Sequence, residues 1–222
     1  NSDGPPPVPR LTVPDLSLEE AQSAVDANPN VPESYLALAR AYLEDGQRDE
    51  ARTAFQNGLS IVRDPIPYLM TAGDISRDAG HAETAIILYA GALDFAQNGQ
   101  NPAAAATARG PFNPIRNELG EYLYQLTEDP SNVDFPAITI ALNGQFADID
   151  PTFIDIFAAR NMFQEGRTRL AIGRLATLAS GDNAFSEAHL VYAEALIEQG
   201  QNDDAREQLA MIQQDSYAPA WL

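Results

Sequence analysis

Four glycines at a fixed interval constrain this chain more than any other feature. Gly46 and Gly80 lie 34 residues apart, and so do Gly166 and Gly200. Each stands in the same setting: YLEDGQRDEA, SRDAGHAETA, MFQEGRTRLA and LIEQGQNDDA. In all four an amphipathic run ends, glycine supplies the left-handed position that closes a helix, and a second amphipathic run begins. Five residues after each glycine comes an alanine, at Ala51, Ala85, Ala171 and Ala205. A small residue there lets paired helices approach closely. A shared period with small residues in fixed places predicts stacked helical hairpins. The composition agrees, being rich in Ala and Leu with few runs of Val, Ile and Thr.

The residues around the glycines resemble the tetratricopeptide repeat. Tyr35, Leu38, Ala39, Tyr42, Ala51, Phe55 and Gly58, followed by Pro65, fall on the signature positions of that family. A second unit offers Leu69, Ala72, Gly73, Ala85, Tyr89 and Ala92, with Ser76 where an aromatic is usual. A later pair gives Ala158, Ala159, Met162, Ala171 and Leu175, then Tyr192, Ala193, Leu196, Ala205 and Leu209. Leu178 and Ile212 exceed the family's usual small residue, so looser helix spacing is expected beside them. The resemblance covers residues 17–222 and implies an all-α fold, a right-handed α-α superhelix of antiparallel helix hairpins.

We expect repeats at 32–65, 66–99, 152–185 and 186–219, and a degenerate one at 113–151. In the last, NELGEYLYQL carries the Leu119-Gly120 step and Phe135–Gly144 forms a short partner helix, closed by Asp150-Pro151. The stretch 98–114 reads as an insertion. Residues 17–30 match the second half of a repeat and cap the array; Ser17 and Glu20 have capping-box spacing. Residues 1–16 carry five prolines, which fix φ and lack an amide donor, so a flexible extended linker is expected there. The chain opens on Asn1 instead of Met, from which we expect a leader or membrane anchor upstream. Pro219–Leu222 echoes Pro151–Ile154 and reads as the start of another helix.

A hairpin with one apolar face must stack to bury it, and the stack creates an inner groove lined by the first helices. By the family's register, the groove-facing candidates are Leu36, Arg40, Leu43, Met70, Asp74, Arg77, Tyr124, Ile156, Arg160, Phe163, Leu190, Glu194 and Ile197. An apolar lining dotted with arginine suits a protein or peptide partner. The competing reading of the same residues is internal packing. The expected function is therefore a non-enzymatic binding scaffold. The alternative is a structural subunit of a larger, envelope-associated assembly, motivated by the proline-rich start and the unfinished last repeat.

Composition excludes several chemistries. The net charge is −19, which opposes nucleic acid and anionic lipid. All thirteen basic side chains are arginine, so no lysine base, Schiff base or P-loop lysine exists. Chaperone-tail clamps of this family use groove lysines and asparagines, whereas Leu36, Arg40 and Glu44 stand at those places. Cysteine is absent, which removes disulfides and thiolate metal sites. His81 and His189 fall in different repeats, with no second ligand at metal spacing. Paired acids such as Glu19-Glu20, Asp148-Asp150 and Asp203-Asp204 sit at helix starts or turns, where acids interact favourably with the helix dipole. No catalytic residue, metal or cofactor is expected.

Overall fold

The computed structural model of the chain describes residues 7–98, 113–145, 152–181 and 184–214. Among these residues it is all-helical and forms the helix-hairpin array of a tetratricopeptide-like solenoid. The insertion expected at 98–114, the Asp148-Asp150 pair, the Asp150-Pro151 closure and the Pro219–Leu222 start lie wholly or mostly outside them. The described residues fall into two compact units, 7–98 and 113–214.

The N-terminal unit holds α1 (Leu18–Ala27), α2 (Pro32–Glu44), α3 (Arg48–Ile61), α4 (Pro65–Asp78) and α5 (Ala82–Asn98). Two of these helices, α1 and α4, start where a side chain satisfies orphan amides. Ser17 Oγ accepts from Glu20 N while Glu20 Oε2 accepts from Ser17 N at 2.9 Å, the expected capping box. Asp64 Oδ1 accepts from Ile66 N, with Pro65 occupying a position that needs no donor. The first helices of the hairpins, α2 and α4, end at the predicted glycines. Gly46 and Gly80 have φ of 76° and 78°, and Gln47 N donates to Tyr42 O at 2.8 Å as His81 N does to Ser76 O. That 6→1 bond needs a left-handed residue just before it, which glycine adopts without a Cβ clash.

Hairpins α2–α3 and α4–α5 pack internally, α1 packs on α2, and the first helices α2 and α4 lie side by side. Ala51 and Ala85 are fully buried at the helix contacts. Gly58 and Gly73 admit tyrosines: a Cβ on Gly58 would strike the Tyr68 hydroxyl, and one on Gly73 would strike the Tyr89 ring. Tyr68 is wholly buried and donates to Phe55 O at 3.0 Å; burial pushes its phenol well above the ordinary range. Ser76, in place of an aromatic, is buried and bonds back to Ala72 O.

The C-terminal unit holds α6 (Pro114–Leu126), a 3-10 turn (Pro130–Asn132), α7 (Phe135–Gln145), α8 (Thr152–Gln164), α9 (Thr168–Ala179), α10 (Ser186–Glu198) and α11 (Asn202–Gln214). Asn113 caps α6 through Ile115 N and Arg116 N. Hairpins α8–α9 and α10–α11 pack internally, and α8 lies against α10 as α2 lies against α4. Gly166 and Gly200 repeat the turn with φ of 80° and 75°. Ala171 and Ala205 are buried. Phe153 meets Phe157 and Phe185 edge-to-face at 5.5 and 5.3 Å.

Candidate functional site

Each unit presents a face made by the first helices of its repeats, and both faces carry charge at the same register. Arg40, Asp74, Arg160 and Glu194 each stand six residues before a turn glycine. This sets an arginine and then an acid on neighbouring first helices of each unit. The two faces use that pair differently.

In the N-terminal unit the stretch 7–16, expected as a flexible linker, lies extended along α2 and α4. Val8 is buried, and Leu11, Val13 and Leu16 pack against the cluster that includes Leu36, Leu43 and Ile75. Arg10 Nε meets Asp74 Oδ2 at 2.6 Å. Leu11 N donates to Thr71 Oγ1 at 2.9 Å, and Arg40 donates to Pro14 O at 2.5 Å and to Asp15 Oδ1 at 3.2 Å. Asp74 is the hub of this arrangement. It also accepts from the Tyr89 hydroxyl at 2.7 Å and lies 3.5 Å from Arg77. Burial, then the bond to Asp74, pushes the Tyr89 phenol far above the ordinary range, so it stays a donor. Prolines tell that this stretch is not helix; they do not tell that an apolar face on α2 and α4 will hold residues 7–16.

In the C-terminal unit the arginine and the acid meet directly. Arg160 Nε lies 3.2 Å from Glu194 Oε2. Arg160 also donates to Tyr124 O at 3.1 Å and to Thr127 Oγ1 at 2.7 Å, and its guanidinium stacks 3.9 Å from the Tyr124 ring centroid. The Tyr124 hydroxyl donates to Glu194; burial and that carboxylate raise its pKa. A second bridge across α6 and α10 joins buried Arg116 and Glu187 at 3.8 Å, with Arg116 over the Phe185 ring at 5.2 Å. Beside Arg160 and Glu194 a cleft of about 250 Å³ opens, lined by Phe163, Val191 and Ile197 among others.

The groove candidates therefore separate by burial. Leu36, Met70 and Ile156 are fully buried and Leu43 nearly so, leaving them no surface to offer a partner. They correct the expectation that the whole list lines an open groove: periodicity marks them as apolar, and burial removes them from the surface, Leu36 and Leu43 within the cluster that Leu11, Val13 and Leu16 pack against. Arg40, Tyr124, Phe163 and Leu190 are half-buried, Arg77 is exposed, and Arg160 is buried but rims the cleft. Ile197 is 50% exposed. His189 bonds Gln208 Oε1 through Nδ1 at 2.9 Å, a packing contact between α10 and α11. Among the described residues no group of His, Asp and Glu is placed to hold a metal ion, and no helix is long and apolar enough to cross a membrane.

Stacked helix–glycine–helix hairpins joined through buried alanines define a helical-repeat protein. Family models described as tetratricopeptide repeat match residues 32–57, in the N-terminal unit, and 162–221, in the C-terminal unit. Over those two stretches the chain is similar to tetratricopeptide repeats. Repeats of this family generally act as scaffolds for protein–protein interaction and are typically not enzymes. No curated protein matches the chain.

Proposed function

We propose that this protein is a non-enzymatic scaffold that binds a protein or peptide partner on the first-helix face of its C-terminal unit, along α8 and α10. The observation that supports this reading is Ile197, a large aliphatic side chain left half in water beside the cleft that Arg160 and Glu194 border. Phe163 and Val191 extend the apolar lining. Arg160 and Glu194 offer fixed donors and acceptors at its edge, because Tyr124 and Thr127 hold the guanidinium in place. Such a surface, apolar with a few oriented polar groups, suits a short partner segment. The corresponding face of the N-terminal unit is already covered by residues 7–16. Groove contact by Leu36, Met70 or Ile156 forms no part of the reading.

The test is affinity capture with Ile197→Asp. The site is exposed, so the substitution leaves the helix content measured by circular dichroism intact. The partner held by the unaltered chain is expected to be lost. Leu170→Asp, on the exposed face of α9 at 63% exposure, serves as control and should retain it. Equal capture by Ile197→Asp and the unaltered chain would reject this face.

A further inference from the structure

The 7–16 segment touches α2 and α4 as a bound peptide touches its receptor. Thr71 reads a backbone amide, Arg40 reads a backbone carbonyl, and Asp74 reads an arginine side chain. Aliphatic side chains fill the apolar ground between these points. Pro7, Pro9 and Pro14 bring no amide donor, so an extended chain can lie here without leaving that donor unpaired. Asp74 is set for its cation before the segment arrives, since Tyr89 from α5 fixes the other carboxylate oxygen. The hairpin contacts beneath the face are made by the helices among themselves, through Ala37, Ala39, Tyr68 and Ala72.

We propose that the first-helix face of the N-terminal unit is a recognition site for an extended, proline-bearing peptide carrying one arginine between aliphatic residues, and that residues 7–16 are its resident occupant. The partner is a segment of the same pattern, Val-Pro-Arg-Leu-x-Val, which displaces the resident one. Charge favours such a partner: the site's cation acceptor is Asp74, and a chain of net charge −19 draws cationic segments toward it. The resident segment is anchored unevenly. Its Arg10 end is held by a partly shielded pair, whereas at the other end Arg40 meets an Asp15 side chain that is 99% exposed. Water and salt screen that second ion pair, leaving the Pro14 carbonyl and Leu16 to hold that end. This surface is distinct from the α8–α10 face, and neither reading depends on the other.

The test uses the full chain and a fluorescein-labelled synthetic peptide, PVPRLTVPDL. Tethering gives the resident segment a high effective concentration, so the unaltered chain should bind the peptide at least about tenfold more weakly than the Arg10→Glu/Leu11→Ser variant. A peptide with Glu in place of Arg should not bind the variant. The idea fails if the variant unfolds, if it binds no peptide, if it binds both peptides alike, or if variant and unaltered chain bind equally. A second readout needs no variant. In the unaltered chain the Leu11 amide should exchange with solvent deuterium well before the central α4 amides; equal protection would make residues 7–16 an inseparable part of the core and overturn the proposal.

Discussion

The two units start from one plan and finish it with different materials. Both set an arginine and an acid on adjacent first helices, six residues ahead of the turn glycine. In the C-terminal unit the acid, Glu194, takes Arg160 from the next helix and the hydroxyl of Tyr124. In the N-terminal unit the acid, Asp74, takes Tyr89 from its own hairpin and Arg10 from outside the helices. The same charge pattern can therefore close a face on itself or hold a chain segment across it. The difference lies in what joins the two side chains: a direct ion pair flanked by the Tyr124 ring in one unit, an extended backbone segment in the other.

The comparison would break first at the shared core. Leu36 and Ile156 hold corresponding places on α2 and α8, and both are fully buried. Placing a carboxylate at either site leaves it desolvated without a designed partner, a loss of about 4 kcal/mol or more. Leu36→Asp is expected to remove hydrogen-exchange protection from α1–α5 and spare α8–α11, and Ile156→Asp the reverse. Protection lost throughout the chain in both variants would mean that the units do not fold as separate bodies.

How much of this was legible in the sequence follows from the range of the forces involved. The glycine interval, the buried alanines and the Ser17–Glu20 box are local rules, satisfied within a turn or a hairpin, and each can be read from spacing. The apolar register put Leu36, Met70 and Ile156 on the list of groove candidates, and they are fully buried instead, because spacing cannot tell a lined groove from a covered one. Covering depends on tertiary neighbours, for Leu36 the cluster that Leu11, Val13 and Leu16 join. The docking of residues 7–16 rests on Asp74 and Thr71, far along the chain. Its signal was present in the acid placed six residues before Gly80, with no sequence rule to connect it to Arg10.

A smaller effect sharpens the contrast between the charge hubs. Arg160 has a side chain only 9% exposed, in contact with Glu194, Thr127 and both the carbonyl and the ring of Tyr124. Arg160→Met removes the cation facing Glu194 and the donor to Tyr124 O, though Glu194 keeps the Tyr124 hydroxyl and is partly in water, and should lower stability by about 2–3 kcal/mol. Arg10 and Asp74 are 27% and 24% exposed. Arg10→Ala should cost only about 1 kcal/mol, and less in high salt. Urea denaturation of the two variants would check the ranking. If Arg10→Ala destabilised as much as Arg160→Met, the 7–16 segment would be as integral to its unit as α6 is to the other.

The smallest effect lies where the segment joins α1. The Ser17 hydroxyl and then its amide bond the Glu20 carboxylate and hold its pKa below the usual range. A carboxylate lowered in the folded state favours folding above its unfolded pKa, and that contribution fades as pH falls through the lower folded value. The start of α1 should thus loosen only below about pH 4.3, and because Glu20 is fully exposed the change is local and slight. Ser17→Ala removes the stronger of the two bonds, so NMR titration should place Glu20 closer to an ordinary glutamate while the rest of the unit is unmoved. The Leu11 amide reads whether this junction matters to the docked segment: faster exchange in Ser17→Ala at neutral pH would tie the hold of residues 7–16 to the α1 cap, and an unchanged rate would leave that hold to Asp74, Thr71 and Arg40 alone.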